Sequence, residues 1–134
     1  MIGTAGAILA GCVGGVLLLA RLLDGDRLDG AGTSAFYLVL LSAFYPLFCL
    51  LTGPMEALPR HALIALACSL LALLALRTGF GPVILGFAAQ GVLNVVTGLG
   101  AHPGHPLWPA FAAPFAVTLA VGLTLLTRDD RSIR

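Results

Sequence analysis

Charged residues divide this chain into apolar blocks. Positions 1–20 contain no Asp, Glu, Lys or Arg, and twenty residues of helix rise about 30 Å, the hydrocarbon thickness of a bilayer. A polar segment follows, Arg21-Leu22-Leu23-Asp24-Gly25-Asp26-Arg27-Leu28-Asp29-Gly30. Thr33 and Ser34 are favourable N-caps, which predicts a second helix over residues 35–52, stopped by Gly53-Pro54. Pro46 lies inside that stretch and predicts a kink, because it lacks a backbone donor and clashes with the preceding turn. A linker over 55–61 leads to a third apolar run at 62–76. That run is short for a span, but Arg60 and Arg77 bracket it and their long stems can reach the headgroups from either end.

Residues 78–127 carry no Asp, Glu, Lys or Arg, too long a stretch for one span. The break is Gly98-Leu99-Gly100-Ala101-His102-Pro103-Gly104-His105-Pro106, whose glycines and prolines punctuate any helix. A fourth helix over 81–99 and a fifth over 108–127 result, with Trp108 placed as an interfacial aromatic anchor. The tail Arg128-Asp129-Asp130-Arg131-Ser132-Ile133-Arg134 reads as polar and frayed.

Five spans put two sets of segments on opposite sides. The N-terminus, the 53–61 segment and the 100–107 segment hold one arginine, Arg60. The 21–30 segment, the 77–80 turn and the tail hold six: Arg21, Arg27, Arg77, Arg128, Arg131 and Arg134. If the fourth helix were not a span, the tail would change sides and the split would fall to four against three. Positive residues favour the cytoplasmic side. The expectation is an all-α, polytopic helical membrane protein forming a single domain, with five transmembrane helices, N-terminus outside and C-terminus inside.

Composition agrees. Hydrophobic residues are 59% and charged residues 10% of the 134, against roughly 45–50% and 25% in soluble domains. A water-soluble fold this small could not hide so much apolar surface. The net charge of +1 offers no basic patch for nucleic acid. All seven cations are arginine, and the richness in Ala, Gly and Leu suggests a GC-rich bacterial source and an inner-membrane location. Cys12, Cys49 and Cys68 form no CxxC pair and read as unpaired packing residues. Leu9-Ala10-Gly11-Cys12 resembles a lipoprotein cleavage box, but no basic residue precedes it and the apolar run continues to Ala20, so a retained span is expected.

Several features are candidates for function. Gly3, Ala7, Gly11 and Gly15 recur every four residues, with Gly6, Ala10 and Gly14 beside them. Such rows let helices approach closely, either within the chain or across a homo-oligomer seam. Gln90, Asn94 and Thr97, at i, i+4 and i+7, share one helical face. They serve interhelical hydrogen bonding or line a polar path; neither Gln nor Asn titrates, so a proton relay there would need water. Glu56, Arg60, His61, His102 and His105 fall on the outer side. His102 and His105 form a weak metal candidate, with Glu56 or His61 as a third ligand, and otherwise read as ordinary interfacial histidines. The Asp24-Gly25-Asp26 segment lacks the calcium-loop pattern. No Walker A, GxSxG or HExxH motif occurs, and no cofactor is implied.

The stretch 89–116 resembles a family of small bacterial multi-span membrane proteins. That family carries His-Gly-x-x-Asp-x-x-His on one helix, then a loop close to Asn-Pro-Gly-Val-Pro-x-Trp-Trp-Pro and a helix opening Phe-Cys-x-x-Phe-Asp. Pro103, Gly104, Pro106, Trp108, Pro109, Phe111 and Phe115 agree with it. Gln90, Asn94, Thr97 and Ala116 stand at its ionisable positions. The resemblance implies the helical membrane fold and no activity.

Three functions fit. The first is an accessory or scaffolding membrane subunit without catalytic machinery, partnered by the bilayer and by another membrane protein or a second copy. The second is a small transporter or channel using the polar face of helix four. The third is a membrane enzyme or metal binder with its site on the periplasmic face. The lack of ionisable residues within the spans weighs for the first, since transport usually leaves one there.

Overall fold

A computed structural model describes residues 2–24, 27–53, 55–98 and 107–132. All regular structure among them is helical. The helices are α1 (Ile2–Leu23), α2 (Arg27–Thr52), α3 (Leu58–Thr78), α4 (Gly81–Gly98) and α5 (Trp108–Ser132), with a single 3₁₀ turn at Met55–Ala57 before α3. Among the described residues, four helical stretches are long and apolar enough to cross a membrane: Gly3–Leu23, Gly30–Leu51, Met55–Thr78 and Trp108–Asp129. The apolar part of α4, Gly81–Val96, is shorter.

The outward faces explain why helix is the structure adopted. Leu9, Leu51, Leu63, Leu70, Val92 and Val96 are all well exposed. Only a helix satisfies its own backbone where the surroundings are hydrocarbon. Hydroxyls along these faces are satisfied in the same way, by carbonyls of their own helix. Ser69 Oγ donates to Ala65 O at 2.8 Å and Thr124 Oγ1 to Ala120 O at 2.6 Å.

Helix α5 packs along α1 and α4, α2 packs along α3, and α3 meets α4. The apolar core joins all five, with Leu18, Leu38, Ala72, Phe87 and Leu119 among its members. The turn between α3 and α4 is short. Gly79 adopts φ 96°, open to glycine at little cost, and its N–H closes onto Ala75 O at 2.8 Å.

Helix ends differ from the sequence expectations in four places. Helix α2 begins at Arg27, so Thr33 and Ser34 are interior residues and not N-caps; Ser34 Oγ donates back to Gly30 O at 2.8 Å. Packing explains the longer helix: Gly30 faces the Phe80 ring and Gly32 faces Leu76, so the extra turns lie against α3 and the α3–α4 turn. Helix α3 begins at Leu58, with Pro59 in its first turn, where a missing N–H costs nothing. His61 therefore belongs to a helix and not to a linker. Helix α1 continues to Leu23, past the expected end at Ala20. The tail is not frayed through its described part, since α5 continues to Ser132.

Candidate functional site

Helix α4 presents one buried stripe, Val83, Phe87, Gln90 and Asn94, spaced 4, 3 and 4 residues apart. The stripe is apolar in its first half and polar in its second. Gly86 lies beside it and lets α2 come close, because a Cβ there would collide with Leu38. The polar half then meets polar groups from α2 and α3.

The hydrogen bonds form a connected node. Tyr45 Oη on α2 donates to Asn94 Oδ1 at 2.8 Å. Asn94 Nδ2 donates to the Gln90 carbonyl at 2.7 Å and approaches Gln90 Oε1 at 3.4 Å. Gln90 Nε2 donates to Cys68 Sγ on α3 at 3.3 Å. Ser42 lies one turn before Tyr45, and its Oγ donates to Val39 O at 2.9 Å. His61, at the start of α3, stacks on Tyr45 with ring centroids 4.9 Å apart and planes 19° apart. His61 is buried, and its Nε2 has no hydrogen-bond partner among the described residues. Ser42, Tyr45, His61, Ile64, Gln90 and Leu93 enclose a small cavity between α2, α3 and α4.

A second space opens on the other side of Asn94. It is a groove of about 580 Å³ lined by Thr4 and Ile8 of α1, Asn94 and Val95 of α4, and Pro109, Ala110, Ala113, Pro114 and Val117 of α5.

The residues singled out in the sequence distribute unevenly over this architecture. Gln90 and Asn94 are buried and bonded to each other; Thr97 belongs to α4, but its side chain lies outside the described residues. Glu56 and Arg60 are exposed while His61 turns inward onto Tyr45, so these three are not offered on one surface. His102 and His105 lie outside the described residues. Among the described residues, no group of three His, Cys, Asp or Glu side chains is placed to hold a metal ion.

Trp108 opens α5 and packs inward against an aromatic group. Its ring lies 4.4 Å from Phe44, 5.9 Å from Phe48 and 5.6 Å from Phe111. Its Nε1 is buried without a partner among the described residues.

The small-residue row of α1 faces α5 of the same chain. A Cβ on Gly11 would collide with the Phe111 carbonyl and lie 2.8 Å from the Pro114 ring. One on Gly15 would lie 2.8 Å from Thr118 Cβ, and one on Gly3 would meet Leu107 at an ordinary 3.5 Å. Gly122 of α5 reciprocates, with Leu19 of α1 seated against it. Ala7, between Gly3 and Gly11, is half-buried. The three cysteines are free, Cys49 and Cys68 buried and Cys12 half-buried.

Ser42, Tyr45 and Cys68 are the members of the node that sequence reasoning missed. A signal was present: Leu38, Ser42, Tyr45 and Cys49 repeat at helical spacing along α2 and are all buried. The tyrosine hydroxyl in that stripe needs a partner in an apolar interior.

No family model matches the chain. No curated protein and no solved structure matches it either.

Proposed function

We propose that this chain is a five-span integral membrane protein of a bacterial inner membrane, N-terminus outside, acting as an accessory or scaffolding subunit. The observation that carries this reading is the state of the intramembrane polar groups. Tyr45, Asn94, Gln90 and Cys68 are neutral and bonded to one another across three helices. Groups engaged in this way fix helices in register. Its partners would be lipid and either another membrane protein or a second copy, met through the exposed apolar faces. The six-to-one arginine split supports the orientation, and the resemblance of residues 89–116 supports the bacterial membrane setting.

The role is tested by separating abundance from activity. Asn94→Leu and Tyr45→Phe are introduced at the native locus, and the cellular phenotype is compared with the amount of protein in the membrane. A scaffold predicts that phenotype follows abundance. Loss of phenotype at unchanged abundance would contradict it. Orientation is tested by reporter fusions: cytoplasmic after Ile133 and periplasmic within 100–107. A periplasmic tail would overturn five spans.

The groove beside Asn94 favours the transporter reading as a second one, since it places a buried polar side chain at the edge of a space of ligand-binding size. Flux of small amphiphiles across proteoliposomes, lost in Asn94→Leu at equal reconstitution, would move the conclusion there.

A further inference from the structure

We infer that the small cavity between α2, α3 and α4 is a hydration site, holding one water molecule bonded to His61 Nε2. The inference goes beyond the scaffold reading and does not depend on it.

Size, polarity and demand converge. The cavity gives a water-sized sphere about 10 Å³ of room, close to the roughly 10–15 Å³ that a single water needs. A water also needs two to four polar partners to be held in a protein interior. His61 Nε2 is one: the residue is only 4% exposed, lines the cavity and has no other partner for that atom among the described residues. A buried imidazole nitrogen left without a hydrogen bond is costly. The other lining groups have capacity to spare. Gln90 gives one amide hydrogen to Cys68 and has a second. Tyr45 and Ser42 have given their hydroxyl hydrogens to Asn94 Oδ1 and Val39 O, so both oxygens remain acceptors.

The donors and acceptors balance. A water in this position has two hydrogens for the acceptors Tyr45 Oη and Ser42 Oγ, and two lone pairs for donors from Gln90 and His61. It links His61 to the Gln90–Asn94 stripe, which neither Gln nor Asn could extend to the imidazole alone. Hydrogen-bonded groups then run unbroken from His61 to Asn94, at the edge of the α1–α4–α5 groove.

The test is water-edited solid-state NMR on the full chain in lipid bilayers, uniformly labelled with carbon-13 and nitrogen-15. Magnetisation from water should reach His61 Nε2 and the Gln90 side-chain amide several-fold faster than it reaches Phe87 or Leu38 in the dry core. Equal build-up at all four sites overturns the inference. Ile64→Phe, which fills the cavity from its apolar wall, should abolish the rapid transfer at His61 and Gln90 together. Transfer that survives in a folded Ile64→Phe protein would come from interfacial water and would also overturn it. If that variant fails to fold, the comparison within the native protein decides alone.

Discussion

Two of the seams in this bundle use opposite chemistry. Where α1 meets α5, glycine does the work: Gly11 and Gly15 bring α1 onto the α5 backbone, and Gly122 receives Leu19 in return. Where α2, α3 and α4 meet, a chain of hydrogen bonds runs from Tyr45 through Asn94 and Gln90 to Cys68, beside the close approach of Leu38 to Gly86. The difference follows from the solvent. Lipid is as apolar as leucine, so helices in a bilayer gain little by burying leucine against leucine. They gain by close backbone approach or by polar groups that hydrocarbon cannot satisfy. The two seams also fail differently. Close packing cannot absorb added volume, whereas a polar node loses one bond at a time.

That contrast orders the expected effects of substitution. Gly11→Leu should be the most damaging, at about 3 kcal/mol or more, because overpacking against backbone and a proline ring has no easy relief. Unfolding in detergent, followed by circular dichroism, measures it, and a change within error would mean that α1 is not seated on α5. Asn94→Leu should cost about 1–2 kcal/mol, near the upper range for interhelical hydrogen bonds in membranes, because it strands both Tyr45 and Gln90. Tyr45→Phe keeps the ring over His61 and removes one bond, so about 0.6 kcal/mol is expected from the same assay. Thr124→Ala should change stability least, by about 0.5 kcal/mol or less, since its hydroxyl bonds only within its own helix. A large loss at Thr124 would blur the distinction between local and interhelical polar groups.

The number and approximate limits of the helices were legible in the chain because charge and Gly/Pro breaks punctuate it. The fourth helix shows this: the 77–80 turn and the break opening at Gly98 set it at 81–99, and α4 runs Gly81–Gly98. The start of α2 was not legible. Local capping chemistry at Thr33 and Ser34 pointed to one start, and the tertiary contacts of Gly30 and Gly32 with Phe80 and Leu76 decided on an earlier one. The polar face of α4 could be read from the spacing of Gln90 and Asn94, but its partners could not. Tyr45 is separated from Asn94 by 49 positions, and no periodicity within one helix reveals which neighbour it meets. His61 was misplaced for a related reason. Its position beside Arg60 suggested an outer linker, whereas the helix starts before both and turns the imidazole inward while Arg60 stays exposed.

The claim that buried polar groups hold this bundle together is tested most directly by a double-mutant cycle on Tyr45→Phe and Asn94→Leu. Stabilities of the native protein, both single variants and the double variant are measured in one detergent under reversible unfolding. A working node predicts a coupling of about 0.6 kcal/mol or more, with the double variant costing less than the sum of the singles. Strict additivity would show that the two residues do not act on each other and would contradict the account.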